Sequence, residues 1–459
     1  MRGPWPEQWV HLVDEADVDL IRPVRTIDDL IAYFRAAGKP REQWRVGTEH
    51  ELIGVRADGS APSYDSADGI GAVLGGFAAR GWEPVVEEGH TIALTRGDAQ
   101  VTLEPGGQFE LAGRPVTRDA DFNTDLRAHV ATLGEVSRPL GLSWLSSGLR
   151  PFGDRDDIPW MPKARYRVMR AYMPTVGTRG LDMMLRTATV QANLDYSDEA
   201  DAASKLRALN ATSSILTALW ANSSIAGGKP IGFQSYRAWI WRDTDRARAG
   251  FLPFVFERDD IFRAYAEWAL DVPMYFVYRG GYQPAGGITF RRFMAEGWRT
   301  EQATRADWAL HLSTLFPEAR LKKLIEVRGC DCGSIEMIEA LAPFCRGLLY
   351  DADARAAATA LTAGLTFDQR QQLADDVPRA GLAARAGSRT IGELAKELVS
   401  IVRAGTARVA PESVALLDPV IEIATTGRTQ ADHAVEIWRT ANGDVAKMIS
   451  ALAHPGLRA

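Results

Sequence analysis

The sequence predicts an α+β fold in which several β-strands with polar inner faces precede a helical C-terminal region. Between Arg45 and Cys332, short segments alternate polar and apolar residues, the period of two expected for a strand that is buried on one face. Beyond about Asp351 the chain is rich in alanine and carries the capping boxes Thr366–Gln369 and Thr390–Glu393, which begin helices. Strands followed by a run of helices are typical of α+β proteins.

Composition places the chain among ordinary globular proteins. It has 459 residues, 46% hydrophobic and 24% charged, with a net charge of −6. The acidic balance argues against a nucleic-acid-binding surface, and no apolar run approaches the roughly 20 residues of a membrane helix. The N-terminus lacks the apolar core of a secretory signal. Because Cys330, Cys332 and Cys345 are too few for a disulfide framework, we expect a reducing, cytoplasmic setting.

Caps, turns and periodicity assign the elements in order. Residues 1–25 are expected to form an irregular arm, followed by a helix at Thr26–Ala37 with Thr26 as its N-cap. Val101–Gly113 is predicted as two strands joined by a turn at Pro105-Gly106-Gly107. The remaining assignments are helices at Gly69–Arg80, Asp121–Leu140 and Glu199–Asn222, strands at Leu142–Gly148, Met183–Tyr196 and Leu324–Cys332, and an ordered basic loop at Asp154–Gly180.

The strand Arg45–Val55 contains the pattern on which the functional prediction depends. Glu49 and Glu51 are two residues apart and therefore face one side of the strand, while His50 faces the other. Burying two like charges side by side costs several kcal/mol each unless a cation or protons compensate. A bound metal cation is the simplest explanation, and an exposed strand with two solvated carboxylates is the alternative.

Further oxygen ligands lie on the polar faces of other predicted strands. Glu104, Glu110 and Glu326 each contribute a carboxylate, and Gln191 offers a neutral oxygen. Mg²⁺ and Mn²⁺ prefer oxygen ligands, and Mg²⁺ is usually shared with substrate phosphates. A single strand glutamate is more often solvated, which is our expectation for Glu104 taken alone. Together, the carboxylates predict a site for a hard metal ion.

Two arginines complete the predicted chemistry. Arg237 and Arg328 are planar, forked donors suited to carboxylate or phosphate. Carboxylates, magnesium and arginines together indicate phosphoryl transfer, in which the protein mainly positions groups and neutralises charge. The structural alternative for Arg237 is a surface arginine stacked on Trp239 or Trp241. Cys330 and Cys332 form a Cys-x-Cys pair, which would need further cysteine ligands to bind a metal. Because Cys345 is the only other cysteine, the pair is expected to be ordinary thiols.

Several long, ordered motifs resemble the plant-type glutamate–cysteine ligases, a family also found in bacteria. They are VGTEHE, LEPGGQFELAG, LDMMLRTATVQANLDY, GFLPFVFE, ALDVPMYFVYR, HLSTLFPEARLKKLIEVRG and GLLYD. The resemblance implies a glutamine synthetase-like catalytic fold, with a curved, mainly antiparallel sheet forming a funnel-shaped active site and helices outside. It also implies a single catalytic domain over 1–459, with an arm at 1–25, catalytic sheet and helices at 26–351, and a helical region at 352–459.

The implied reaction is ATP-dependent ligation of the γ-carboxyl of L-glutamate to L-cysteine, the first step of glutathione synthesis. ATP would phosphorylate the γ-carboxylate, and the cysteine amine would attack the acyl phosphate, with Mg²⁺ (or Mn²⁺) stabilising charge. The expected partners are ATP, L-glutamate and L-cysteine, without nucleic acid or membrane, and the expected state is a monomer or weak homodimer. Two alternatives stay open: a γ-glutamyl ligase for a different amine, and a catalytically inactive binding protein on this fold.

The resemblance also assigns roles to residues. The expected metal ligands are Glu49, Glu51, Glu104, Glu110, Gln191 and Glu326. Glu326 would bridge metals, and Arg328 would contact phosphate. Arg237, in SYRAWIW, would hold the α-carboxylate of glutamate, and Arg186 would be a further nucleotide or substrate contact.

The chain departs from the family in its cysteines. Plant members carry cysteine pairs that form regulatory disulfides, but Asp119–Val130 and Gly280–Arg299 contain no cysteine here. We therefore expect that the redox switch is absent.

Overall fold

A nine-stranded sheet forms the centre of the computed structural model, which describes residues 20–459. The strands are β1 (Val46–Val55), β2 (Glu83–Glu87), β3 (His90–Arg96), β4 (Ala99–Leu103), β5 (Gln108–Ala112), β6 (Ser143–Leu145), β7 (Val190–Leu194), β8 (Ala319–Leu321) and β9 (Ile325–Val327). Their order is β8-β9-β7-β1-β5-β4-β3-β2, with β6 also paired to β1. All of these pairings are antiparallel, as predicted.

Helices cover the sheet and form the C-terminal region. Within residues 20–459 the α-helices are α1 (Ile27–Arg35), α2 (Ile70–Ala78), α3 (Asp119–Ser137), α4 (Ala164–Tyr172), α5 (Gly180–Arg186), α6 (Glu199–Leu219), α7 (Tyr236–Trp241), α8 (Phe254–Glu257), α9 (Ile261–Asp271), α10 (Phe290–Glu296), α11 (Arg305–Leu312), α12 (Ile335–Tyr350), α13 (Ala352–Ala360), α14 (Phe367–Ala380), α15 (Ile391–Val409), α16 (Asp418–Thr426), α17 (Gln430–Ala441) and α18 (Val445–Leu452). None of them combines the length and apolar character needed to cross a bilayer.

Short two-stranded ribbons connect these elements. They pair Ile225–Ala226 with Lys229–Pro230, Ala249–Gly250 with Phe316–Pro317, Phe276–Tyr278 with Tyr282–Pro284, and Arg385–Ala386 with Arg389–Thr390. The ribbon at Phe276–Pro284 contributes Tyr278 and Tyr282 to the lining of the main cavity.

β1 is central because it pairs with three other strands. Its apolar face packs into the core, where His50 is fully buried with its ring centroid 5.6 Å from that of His129 on α3. Phe77 of α2 also contacts His129. The predicted alternation is therefore confirmed, and the opposite face of β1 is left to carry Glu49 and Glu51 towards the main cavity.

Several predicted elements are confirmed with their caps. Thr26 caps α1 through a capping box with Asp29. The capping boxes at Thr366 and Thr390 begin α14 and α15, so the C-terminal helical region is confirmed. The predicted arm at 1–25 lies outside the described residues except for its last six positions. The division of the chain into a single catalytic domain stays a prediction.

Two predicted elements differ from the structure. Met183–Tyr196 is not one strand, because α5 extends to Arg186 and β7 begins only at Val190. The Met and Leu side chains, which are not branched at Cβ, favour helix, and the alternation that indicates a strand is confined to the later residues. The predicted loop Asp154–Gly180 contains α4, whose buried Tyr166 and Met169 are spaced as on a helix face.

Candidate active site

Strand register brings polar side chains from three strands onto one face of the sheet. Glu51 lies directly opposite Glu110 of β5, and Glu49 lies directly opposite Gln191 of β7. Directly opposed residues of an antiparallel ladder project to the same face with Cβ atoms about 5 Å apart. These four side chains and Glu104 line a cavity of about 1140 Å³. The structure therefore unites five of the six predicted metal ligands.

A tight turn between β4 and β5 holds Glu104 at this cavity. The Gly107 amide donates to the Glu104 carbonyl at 2.9 Å, and the Gly106 amide donates to Oε1 of Gln108 at 2.9 Å. A Cβ at Gly106 would lie 2.1 Å from the Leu185 carbonyl oxygen, so only glycine fits there. The predicted Pro-Gly-Gly turn thus has a structural purpose: it lets β5 return beside β4 with Glu110 facing the cavity.

Three of the cavity carboxylates, Glu51, Glu104 and Glu110, resist ionisation. Burial, followed by the nearby Glu104, raises the pKa of Glu51 to about 8. Burial and the other three carboxylates raise the pKa of Glu110 well above its usual range, and burial also raises the pKa of Glu104. Lys163, which lines the same cavity, only moderates the effect on Glu104 and Glu110. The cations Lys163, Arg165 and Arg237 therefore only partly offset the cost of burying these carboxylates.

This donor set suits a hard cation that substrate oxygens complete. Within residues 20–459, no three His, Cys, Asp or Glu side chains are close enough to enclose a metal ion by themselves. Mg²⁺ is commonly held by one or two carboxylates together with substrate phosphates and water, so an all-protein cage is not required. The buried, mutually repelling carboxylates and the amide oxygen of Gln191 fit such a site.

Three cations form another wall of the cavity, around a carboxylate that does not reach it. Arg320, Lys322 and Arg328 line the cavity, whereas Glu326 is fully buried. Arg320 and Lys322 pair with Glu326 at 2.7 and 2.8 Å, and Arg328 pairs with it as well. Burial opposes the ionisation of Glu326, but these three cations outweigh it and hold its pKa well below the usual range.

The placement of Glu326 bears directly on its expected role. Both of its oxygens accept hydrogen bonds from Arg320, and Arg328 also donates to Oε1 of Gln191 at 3.2 Å. To bind a metal, Glu326 would have to release at least one of these partners. Its role as a metal ligand stays a prediction, while its role as the counter-ion of the cationic wall is a feature of this structure.

Arg237 lies on α7 and lines the cavity, whereas Arg186 does not. Nη2 of Arg237 donates to the Arg328 carbonyl at 2.9 Å, and Nη1 lies 3.9 Å from the buried carboxylate of Asp331. Arg186 ends α5 and turns back to pair with Asp182 at 3.3 Å, one helical turn earlier. The structure therefore brings Arg237 to the site, and the expectation that Arg186 contacts substrate is not supported by its position.

Sequence reasoning missed several residues of the cavity wall. Lys163 and Arg165 come from the segment expected to be a basic loop, and Arg320 and Lys322 come from the EARLKK stretch before β9. Arg320 lies directly opposite Glu326 in the β8–β9 hairpin. Basic residues crowded before a strand with a central glutamate were the available signal, but strands of three residues give too little alternation to reveal the pairing.

All three cysteines are buried thiols. Cys330, Cys332 and Cys345 are unpaired and fully inaccessible to solvent. Burial raises the pKa of each thiol, which disfavours the reactive thiolate. The expectation of ordinary thiols agrees with this environment.

Known proteins resemble this chain over most of its length. The glutamate-cysteine ligase family 2 model matches residues 45–451. The chloroplastic glutamate–cysteine ligase of Brassica juncea is 43% identical over 419 residues, covering 90% of this chain and 81% of that one. The chloroplastic glutamate–cysteine ligase A of Oryza sativa subsp. japonica is 40% identical over 435 residues, covering 93% and 87%.

A solved structure supports the fold. A glutamate–cysteine ligase from Francisella tularensis, determined in complex with AMP, superposes with a TM-score of 0.54 at 14% identity, covering 89% of this chain and 87% of that one. At this identity the likeness concerns the fold alone, and it confirms the predicted α+β architecture.

The relatives correct one expectation and establish the family. The Brassica juncea and Oryza sativa relatives are chloroplastic, which contradicts the expected cytoplasmic setting. The reason for the error is that a low cysteine count indicates a reducing environment without identifying the compartment. Because the family model spans most of the chain and full-length relatives are about 40% identical, the chain belongs to the glutamate-cysteine ligase family 2.

Proposed function

We propose that this chain is an ATP-dependent ligase that joins the γ-carboxyl of L-glutamate to the amine of L-cysteine. The observation that carries the proposal is the division of one large cavity into a carboxylate wall and a cationic wall. The carboxylate wall is Glu49, Glu51, Glu104 and Glu110, and the cationic wall is Arg320, Lys322 and Arg328. At about 1140 Å³ the cavity is slightly larger than most small-molecule sites, as a nucleotide with two amino acids requires.

The carboxylate wall is the proposed metal site. The residues that would hold Mg²⁺, or Mn²⁺ as a substitute, are Glu49, Glu51, Glu104, Glu110 and Gln191, with Glu326 as the further ligand expected from the resemblance. Bound there, the metal would offset phosphate charge and stabilise the charge that develops during phosphoryl transfer. The raised pKa of Glu51 supports this assignment, because a cation at this position would remove the cost of ionising it.

The cationic wall is proposed to guide the phosphoryl group. An oxygen of the glutamate γ-carboxylate forms a bond to the γ-phosphorus of ATP, and the bond from that phosphorus to ADP breaks. Arg328 is held by Glu326 and Gln191, so its guanidinium is fixed before the reaction begins. Donors that need no reorganisation stabilise developing charge more effectively than mobile ones do.

Arg237 is proposed to orient glutamate for both steps. Its guanidinium would hold the α-carboxylate, and Asp331 restrains it. Asp331 is itself fixed by hydrogen bonds from the hydroxyls of Ser223 and Ser235 at 2.6 and 2.9 Å. In the second step the cysteine nitrogen forms a bond to the γ-carbon, the bond from that carbon to phosphate breaks, and the nitrogen releases a proton.

ADP release from purified, desalted protein tests this proposal. We expect release only when ATP, L-glutamate, L-cysteine and Mg²⁺ are all present, and a panel of other amines tests the acceptor. Arg237→Gln should raise the KM for glutamate at least tenfold, whereas Arg428→Gln, at an exposed arginine outside the cavity, serves as the control. Release with another amine but not with cysteine would replace the acceptor, and no release with any amine would overturn the proposal.

A further inference from the structure

A second, smaller cavity adjoins the proposed glutamate site. It has a volume of about 50 Å³, several times the space of one water molecule. Arg237, Trp241, Phe316 and Arg328 line both cavities, so the two share a wall. The small cavity also includes polar groups that the proposed reaction has not used: Ser213, Thr217 and Glu318.

Glu318 contributes a carboxylate to the lining of this small cavity, and it has no cationic partner among the described residues. Its Oε2 accepts a hydrogen bond from the Ser213 hydroxyl at 2.5 Å. In the described part of the chain, no Arg, Lys or His side chain forms an ion pair with it, although three arginines line the same cavity. Each of these arginines is bound elsewhere, Arg237 near Asp331, Arg242 to Asp375, and Arg328 to Glu326.

The space beside Glu318 is kept open by a glycine. A Cβ placed on Gly329 would lie 3.4 Å from Oγ1 of Thr217 and 3.9 Å from Oε2 of Glu318. A side chain here would therefore occupy the volume in front of the carboxylate. The result is a small, partly apolar cavity in which the Glu318 carboxylate has no ion-pair partner among residues 20–459, next to an arginine suited to bind a carboxylate.

We infer that Glu318 binds the α-ammonium group of the donor amino acid whose α-carboxylate is held by Arg237; this inference rests on the proposed ligase function. A carboxylate and a guanidinium on one cavity wall match the two charges of an α-amino acid. The acceptor amine has to be neutral to attack, so it is the donor's amine that benefits from a negative partner. Glu318 thereby distinguishes an amino acid from a dicarboxylate of the same length.

The same contact protects the activated donor. Once the γ-carboxyl carries phosphate, a neutral α-amine of the same molecule can attack the γ-carbon. The C–N bond closes a five-membered ring, the C–O bond to phosphate breaks, the nitrogen loses a proton, and 5-oxoproline and phosphate are released. A nearby carboxylate favours the protonated amine, whose lone pair is engaged in an N–H bond, and thus suppresses this intramolecular reaction.

Comparison of glutamate with glutarate, which lacks the amine, tests the inference. Glu318→Gln keeps the side-chain shape and an oxygen that can accept from Ser213. We expect the wild-type preference for glutamate over glutarate, measured as kcat/KM, to fall at least tenfold. The fall should come mainly from a higher KM for glutamate, with the KM for ATP changed less than twofold and 5-oxoproline formed per ADP increased. Glu257→Gln, an exposed position on α8, is the matched control.

Other outcomes would separate the possible failures. Equal losses with glutamate and glutarate, or an unchanged preference, would overturn the role of Glu318. If the wild-type protein releases no ADP, the proposed function fails, and calorimetric binding of glutamate and glutarate to wild type and Glu318→Gln decides the inference independently. Should Glu318→Gln not fold, Gly329→Ala gives the second test, because its methyl group makes only ordinary contacts yet lies in front of the Glu318 carboxylate. A preference for glutamate that survives this change would also refute the inference.

Discussion

Replacing Glu51 by glutamine should stabilise the metal-free protein at alkaline pH while abolishing its activity. Burial first, and Glu104 second, raise the pKa of Glu51 from 4.5 to about 8. Each pKa unit corresponds to about 1.4 kcal/mol, so holding the ionised form above pH 8 costs up to about 5 kcal/mol in the absence of a cation. Glutamine carries no charge, and its amide oxygen can still accept the hydrogen bond that the Thr189 amide donates at 3.0 Å.

The direction of the pH dependence follows from the raised pKa. Between about pH 4.5 and pH 8 the folded protein binds a proton at Glu51 that the unfolded chain has already lost. The free energy of unfolding of the metal-free wild type therefore falls as pH rises through this window. Relative to the wild type, Glu51→Gln should be nearly neutral at pH 5 and about 2–5 kcal/mol more stable at pH 8.

Urea unfolding in EDTA at pH 5 and pH 8, followed by tryptophan fluorescence, measures this difference. Glu135→Gln is the matched control, because the side chain of Glu135 is 64% exposed. Added Mg²⁺ should stabilise the wild type at pH 8 more than it stabilises Glu51→Gln. A Glu51→Gln protein that is less stable than the wild type at pH 8, or a stability difference that does not change with pH, would refute the reasoning.

Other parts of the molecule give three further predictions. Glu326→Gln should lower turnover at least a hundredfold and reduce the free energy of unfolding by about 3–5 kcal/mol, because Arg320, Lys322 and Arg328 lose their counter-ion. Unchanged turnover in steady-state assays would contradict this prediction. The three buried cysteines should not react with a thiol reagent until the protein is unfolded, and dithiothreitol or oxidant should leave activity unchanged. A strong, reversible change in activity would show that the predicted absence of a redox switch is wrong. Burial lowers the pKa of His50 to about 4, so only the unfolded chain gains this proton between pH 6.5 and pH 4. The free energy of unfolding should therefore fall by up to about 3 kcal/mol as pH drops through that range. Urea unfolding of His50→Leu should show a smaller fall over the same range, and an equal fall would contradict the lowered pKa of His50.

Local patterns were sufficient to predict the carboxylate wall. The two-residue spacing of Glu49 and Glu51 fixes their common face, and the same rule places Gln108 and Glu110 together after the Pro-Gly-Gly turn. The side-chain period of a strand depends only on the backbone, so it is visible in one sequence. What the pattern does not contain is the register that puts Gln191 opposite Glu49, since that depends on pairing between distant segments.

The cationic wall and the small cavity beside Glu318 could not be predicted from the two-residue period of the strands. Arg320 meets Glu326 across a hairpin of three-residue strands, which is too short for a clear period. Glu318 lies between the two-residue strand Phe316–Pro317 and β8, and only its contacts with Ser213 of α6 and the space at Gly329 indicate a role for it. Arg186 ends a helix and does not belong to the predicted strand, and its role as a substrate contact stays a prediction.

The most direct test of the ligase account follows one oxygen atom. The protein is incubated with ATP, L-cysteine, Mg²⁺ and L-glutamate labelled with ¹⁸O in its γ-carboxylate, and the released phosphate is analysed by mass spectrometry. Transfer of the γ-phosphoryl group to the carboxylate predicts that each phosphate carries one oxygen from glutamate, with γ-glutamylcysteine formed in equal amount. Phosphate without label, released while the dipeptide accumulates, would contradict activation of glutamate by phosphorylation.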